Sequence, residues 1–266
     1  MNLVILTGNS FRHKYFANTI GKKFPAVAVF SEIKVFDPAN QKAGASNLKD
    51  QQRKLWQWHF GLAQKEEGIF FGEHKEFNNC GKVEQVPKGE INEKNWVKKI
   101  SAYKPDIVAV YGTSLLREEV IDICPKTTVN MHLGLSPYYR GSGTNFWPLY
   151  DGHPEYVGVT IHRIDPGIDT GPIFHQGRPN VEVSDNQHSI GNKAIIVGTN
   201  LMIKTIEEIQ SGQSIAYEQK EKGKLYTRKD FSPDSIARLK TNMDSGLIRD
   251  YAGRQEVLRE RVKIVE

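Results

Sequence analysis

The chain is predicted to fold as an α/β protein, a mostly parallel, doubly wound sheet followed by a short β-plus-helix extension. Three observations predict it. Residues 3–7, Leu-Val-Ile-Leu-Thr, form a continuous apolar run, the pattern of a strand buried on both faces. That run passes through Gly8-Asn9-Ser10 into a helix-like segment, Phe11 to Ile20, which is how a doubly wound α/β unit begins. Further strand-like runs then alternate with helical spacing down the chain, ending in a long amphipathic stretch over 185–210.

The other elements follow in order. Pro25 to Phe30 reads as the second strand. The polar stretch 39–54 reads as a loop passing into a helix, and 50–67 places Leu55, Trp56, Phe60, Leu62 and Ala63 at rough helical spacing. Gly68-Ile-Phe-Phe-Gly72 is apolar enough for a strand. Residues 88–104 fit a helix that buries Ile91, Trp96, Val97 and Ile100, and 105–112 is the most strand-like run of all, closed by Gly112. A short helix over 116–123 leads to a strand through Asn130 and His132. A β-rich strand over 157–164 closes in the turn Asp165-Pro166-Gly167, and residues 171–181 read as a further strand pair. The 185–210 helix carries Ile190, Ala194, Val197, Leu201, Ile206 and Ile209 on its apolar side. Beyond Gly212 the composition turns polar, with a short strand at Lys224–Tyr226 and a helix capped by Ser232 with Pro233 at its first position.

The sequence has 266 residues, with 36 Lys+Arg against 31 Asp+Glu, 38% hydrophobic and 25% charged residues. This composition excludes intrinsic disorder and a fibrous repeat. The net charge of +5 is a mild bias toward anionic partners, short of a dedicated nucleic-acid binder. No apolar run approaches the ~20 residues of a membrane span. The N-terminus has no basic segment before its five-residue apolar stretch, so no signal peptide is expected. Two cysteines make no disulfide framework: Cys124 reads as a small core residue and Cys80 as a loop residue, and the expected location is the cytoplasm.

Reactive side chains are densest between Asn130 and Asp169. Asn130 and His132 alternate along a strand end and share a face. Asp169 sits in a turn with two glycines, and Arg140 lies in the Gly/Ser/Pro-rich loop between. Both clusters are expected at strand ends, where ligands bind in open α/β sheets. An amide, an imidazole and a carboxylate converging there suit acyl transfer. Spacing alone also allows a hydrogen-bonded structural histidine and turn-forming Asn and Asp residues. A metal site from His132, His162 and Asp165 has no recognised ligand spacing, and no metal is expected.

Asn130-Met131-His132, Leu135-Ser136-Pro137-Tyr138-Tyr139-Arg140-Gly141, Gly158-Val159-Thr160 and Asp165-x-Gly167-x-Asp169-Thr170-Gly171 together resemble the formyltransferases that use 10-formyltetrahydrofolate. The resemblance is strong over about residues 100–180 and weaker from 1 to 210. It implies a Rossmann-like catalytic domain over 1–205, a small extension over 206–266, and a triad of Asn130, His132 and Asp169. By the same resemblance, the pterin of the folate lies against Tyr111, Gly112, Thr113, Ser114, Leu115 and Leu116 and the turn holding Asp165 and Gly167. Leu115 and Leu116 equally fit a buried helix start. One departure stands out: the family commonly has Ser-Leu-Leu-Pro where this chain has Gly134-Leu135-Ser136-Pro137, which removes a hydroxyl at position 134.

The turn Gly8, Asn9, Ser10, with Arg12 nearby, reads either as an anion site or as a plain strand-to-helix turn, and the resemblance implies that this region faces the amine substrate. Tyr138 and Arg140 are further candidate substrate contacts, and Tyr139, Phe146 and Trp147 are aromatics that would pack on a sugar or base, although Trp147 equally fits the core. In the methionyl-tRNA enzymes the catalytic domain continues into a sizeable β-barrel, which the 55 residues from Gly212 are too few to supply. The compact size with a short β-plus-helix tail most resembles the nucleotide-sugar N-formyltransferases, and that resemblance implies as acceptor the primary amine of an aminodeoxysugar linked to a nucleoside diphosphate. The alternatives are a methionyl-tRNA formyltransferase-like enzyme without the full barrel and a 10-formyltetrahydrofolate hydrolase. Nucleic acid and membrane are not expected partners, and a homodimer is left open.

Overall fold

A computed structural model describes residues 1–33 and 48–265; residues 39–47 of the polar stretch read above as a loop lie outside them. The main sheet contains β1 (Leu3–Gly8), β2 (Ala26–Ile33), β3 (Cys80–Pro87), β4 (Ile107–Tyr111), β5 (Thr128–His132), β7 (Val159–Arg163) and β8 (Ile173–Gly177), in the spatial order β3-β2-β1-β4-β5-β7-β8. The first five of these strands are parallel, while β7 runs antiparallel to both β5 and β8. The chain between β7 and β8, residues 164–172, is shorter than the crossover a parallel pair needs.

The continuous apolar run of β1 follows from burial on both faces. Leu3 and Ile5 point into one cluster with Phe16 and Ile20 of α1 (Phe11–Lys23) and Ile195, Met202 and Ile206 of the long helix. Val4 and Leu6 point into the other, with Trp96 and Ile100 of α3 (Lys94–Ala102) and Val120 and Ile121 of α4 (Glu118–Ile121).

Three expectations need correction. Residues 68–71 are not a strand but the last turn of α2 (Asp50–Phe71), with Phe71 fully buried. No turn signal interrupts the helical spacing before Gly68, and a short apolar run does not by itself separate a strand from the buried end of a helix. The second correction is β3, which the sequence hides because it is a polar, largely exposed edge strand; Cys80 begins it rather than sitting in a loop. Finally, residues 171–181 hold one strand, not a pair. The partner of Ile173 on its outer side is Tyr217, by a single bridge. Cys124 is only half-buried, its thiol on the carbonyls of Pro105 and Asp106.

The long helix, α6 (Gln187–Gln210), spans the expected boundary between residues 205 and 206. Asn186 caps it, accepting from the N–H groups of His188 and Ser189. The extension then folds back onto the site-bearing loops. Its strand β9 (Lys224–Tyr226) pairs in parallel with β6 (Tyr139–Gly141). Leu239 of α7 (Pro233–Asp244) and Ile248 and Tyr251 of α8 (Leu247–Ala252) share a cluster with Leu149 of α5 (Phe146–Asp151), Val157, Val181 and Ile190. Ser232 caps α7 with Pro233 at its first position, as the sequence predicts.

Candidate active site

The β5–β7 register builds the site. Asn130 stands opposite His162 and His132 opposite Thr160, so alternation directs all four side chains to one face. Because β7 is antiparallel, its Arg163 lies beside Val129 at the start of β5, and Asp169 returns to His132 along the 164–170 loop. The site thus lies over the β5–β7 pair, not beyond the ends of parallel strands alone.

Asp169 Oδ2 lies 3.2 Å from His132 Nδ1 and accepts the Gly141 N–H at 2.8 Å. Asp169 Oδ1 lies 3.5 Å from His162 Nε2, and Asn130 Nδ2 lies 3.1 Å from that same nitrogen. Asp169 has a positive φ of 53°, a conformation Asp tolerates better than most residues and which here delivers both carboxylate oxygens to partners. The loop is held from outside: Arg140 Nη1 donates to the Ile168 carbonyl, and Gln219 Nε2 donates to the carbonyls of Asp169 and Gly171.

Burial works against charge on Asp169, but the His132 ring beside it and the Gly141 N–H outweigh it and hold the carboxyl well below the usual carboxylate range. His132, 6% exposed, is lowered below an ordinary histidine, because burial outweighs the attraction of Asp169. Both of its nitrogens nevertheless face acceptors, Asp169 at Nδ1 and the Tyr139 carbonyl 3.0 Å from Nε2. In the neutral ring, with the proton held on Nδ1 by the anionic carboxylate, Nε2 and the Tyr139 carbonyl set lone pair against lone pair, which raises the basicity of Nε2. A proton arriving at Nε2 finds an acceptor already in place. The pocket is therefore preorganised for a histidine that takes up a proton.

Position 134 explains its own departure from the family pattern. A Cβ there would lie 2.7 Å from both His132 Nε2 and Thr144 Cβ. Thr144 occupies the space, its hydroxyl donating to the Leu133 carbonyl.

These groups line a cavity of about 1120 Å³. Tyr111, Gly112, Ser114, Leu115, Leu116, Asp165 and Gly167 line it with Asn130, His132 and Asp169, so the residues expected to contact the folate share one cavity. Leu115 is 65% exposed and Leu116 only 8%, so the first is free to meet a ligand and the second belongs to the core. The Asp165 carboxylate is used within its own turn, accepting from Thr170 Oγ1 and the Gly167 N–H.

The expected substrate contacts separate. Arg12 lines the cavity, paired with Glu67, but Gly8, Asn9, Ser10, Tyr138 and Arg140 do not. The glycine of the first turn serves packing: a Cβ on Gly8 would lie 2.7 Å from the His13 ring, and Ser10 Oγ sits 2.6 Å from His13 Nδ1. Arg140 is a clamp, since its other amino group donates to the Gly223 carbonyl and ties the Asp169 loop to the extension. Tyr138 donates to the Lys263 carbonyl and packs on Tyr156. Trp147 is core, stacked 4.4 Å from Tyr226, whereas Phe146 reaches the cavity.

The sequence reading named His162 only as a rejected metal ligand, although alternation in Thr160-Ile161-His162 places it on the face of Thr160. It also missed the far wall: Trp56, His59 and Phe60 from α2, His188 from α6, and Tyr226, Arg228 and Phe231 from the extension. Nothing in local spacing marks those residues, which converge only through tertiary packing.

The formyl transferase family model matches residues 60–206, more than half of the chain. The methionyl-tRNA formyltransferase of Thermodesulfovibrio yellowstonii is 34% identical over 125 residues, 46% of this chain and 40% of that enzyme. That of Kosmotoga olearia is 28% identical over 238 residues, 89% of this chain and 68% of that enzyme. The N-formyltransferase of Helicobacter canadensis, solved with folinic acid and dTDP-3-aminofucose, superposes with a TM-score of 0.56 at 18% identity, covering 90% of this chain and 80% of that one; at this identity the likeness concerns the fold. The Asn130–His132–Asp169 constellation thus lies where the family match and the cavity coincide, and the chain belongs to the formyl transferase family.

Proposed function

We propose that the chain transfers a formyl group from 10-formyltetrahydrofolate to the primary amine of an aminodeoxysugar linked to a nucleoside diphosphate. The observation that carries the transfer chemistry is the Asn130–His132–Asp169 constellation, with His132 buried and its two partners half-buried, on the wall of a cavity of about 1120 Å³. That volume exceeds the ~300–1,000 Å³ of ordinary single-ligand pockets, room for a donor and an acceptor side by side.

The amine nitrogen attacks the formyl carbon directly, forming the new C–N bond. His132 Nε2 takes the amine proton, and the resulting imidazolium is held between Asp169 and the Tyr139 carbonyl. Asn130 donates to the oxyanion, a contact worth ~2.7–4 kcal/mol where one has been removed elsewhere. The bond from carbon to the folate N10 then breaks, and N10 leaves with a proton returned through the triad. Leu115 and the 165–168 turn suit the flat pterin face.

The acceptor is read from the other wall. Trp56, Phe60, Phe146 and Phe231 offer ring faces to a sugar or base. The two cationic side chains in the described lining are Arg12, which is paired with Glu67, and Arg228, which is exposed and suits a diphosphate. A second reading, formylation of aminoacylated initiator tRNA, is favoured by the sequence relatives, which are methionyl-tRNA enzymes. Incubation with 10-formyltetrahydrofolate and a panel of nucleotide aminosugars, with charged initiator tRNA and an amine-free control, decides among them. Formylation of a sugar nucleotide supports the proposal. Formylation of the tRNA alone supports the second reading, and folate turnover without amine indicates a hydrolase.

A further inference from the structure

His162 lies outside the triad, yet its ring makes contacts that bear directly on Asn130. Nδ1 lies 2.8 Å from the Arg163 carbonyl oxygen, which can only accept, so Nδ1 carries a hydrogen. In the uncharged ring Nε2 then has none and can only accept. The Asn130 amide atom 3.1 Å away must therefore be the NH₂ nitrogen; an amide oxygen there would set two lone pairs against each other. One hydrogen of that NH₂ is committed to His162. The other is left for the cavity that Asn130 lines.

From this geometry we infer that His162 is a positioning residue, which as its Nδ1–H tautomer turns the NH₂ edge of Asn130, rather than its carbonyl, toward the formyl oxygen. The inference rests on the formyl-transfer reading above. The ring is 3% exposed and fixed by two hydrogen bonds, to the Arg163 carbonyl and from Asn130, with Asp169 Oδ1 3.5 Å from Nε2 and His132 6.4 Å away ring to ring. Asp169 gives the arrangement an alternative. A proton on Nε2 would point at that carboxylate, and the Asn130 carbonyl would then have to turn toward the ring, presenting a lone pair where the oxyanion develops. The site works only with Nε2 bare.

Two measurements test this. In ¹⁵N-histidine-labelled protein, the ¹⁵N shifts of the His162 ring should show a protonated Nδ1 and a bare Nε2 above neutral pH. The reverse tautomer, or a doubly protonated ring, overturns the inference whether or not any acceptor is turned over. In kinetics with 10-formyltetrahydrofolate and dTDP-3-aminofucose, or whichever panel member is formylated, His162→Leu should lower kcat about 10- to 100-fold with KM for both substrates unchanged, part of the 10²–10³ that loss of a whole oxyanion donor costs. His162→Gln, whose Oε1 can accept from Asn130, should restore kcat to within about fivefold of wild type. In an Asn130→Ala background, His162→Leu should change nothing further, since a residue that acts through Asn130 has no target left. Wild-type kcat in His162→Leu, or the same fold-loss with and without Asn130, overturns the inference. Wild-type activity in Asn130→Ala refutes instead the oxyanion role of Asn130, and failure of every acceptor refutes the transfer reading, while the nitrogen shifts still decide the tautomer. If His162→Leu does not fold, the His162→Gln enzyme and the nitrogen shifts carry the test.

Discussion

Replacing Asp169 by Asn removes the charge that, in the proposed transfer, the His132 imidazolium meets as it takes the amine proton. Two unit charges 3.2 Å apart attract by roughly 332/(20 × 3.2), about 5 kcal/mol, at the effective dielectric of about 20 suited to protein sites. With the charge on His132 about half developed in the transition state, about 2.5 kcal/mol is lost; with it fully developed, all of it. At 1.36 kcal/mol per decade this predicts a fall in kcat of roughly 10²–10⁴. The amide oxygen of Asn can still accept the Gly141 N–H, so the loop should keep its place. The assay is kcat at saturating folate and acceptor across pH, with thermal unfolding as a check on folding. Asp169 raises the His132 pKa, so its neutralisation should also move the acid limb of the profile to lower pH. A kcat within tenfold of wild type, with the acid limb unmoved, would refute the role given to the ion pair.

Gly134→Ala should cost about 1–3 kcal/mol of stability through overpacking and lower kcat about 10- to 100-fold, because the new Cβ displaces His132 or Thr144; urea midpoints and kcat measure both, and an enzyme with wild-type kcat contradicts the contact. The His59 and His188 rings, 4.5 Å apart on the far wall, are lowered chiefly by burial to about 3 and about 4. They stay neutral in the folded chain, so below pH 6.5 the unfolded chain binds protons that the folded one refuses, and stability falls with pH. At pH 5, about 1.5 units below the ordinary value, each ring costs about 1.36 × 1.5, or about 2 kcal/mol. His188→Gln should remove about half of the pair's loss between pH 7 and pH 5 in denaturant unfolding, and an unchanged loss would show that the ring titrates normally.

The site was legible where the chain is local. Asn130 and His132 share a face because a strand alternates, and Asp169 stands in a turn between Gly167 and Gly171. His162 was half legible: its alternation with Thr160 is visible, but its partner across the ladder depends on β7 being antiparallel. Residues 68–71 were misread because an apolar run carries no record of whether a helix is still in progress, and β3 was missed because an edge strand needs no apolar pattern to hold its ladder.

By itself, the sequence determined the α/β class and the order of most elements, set by short-range periodicity and turn chemistry, and its motif order carried the resemblance that singled out Asn130, His132 and Asp169. Only the tertiary structure decided what each neighbour does. It made Gly8 a packing glycine under His13, Arg140 a clamp on the Asp169 loop, and Trp147 part of the core. It also brought α2, α6 and the extension together as the far wall of the cavity. The physical reason is reach: a hydrogen bond within a turn is written in adjacent residues, whereas a cavity wall is set by elements that meet from opposite ends of the chain, as Trp56 meets Phe231 at 5.7 Å between ring centres.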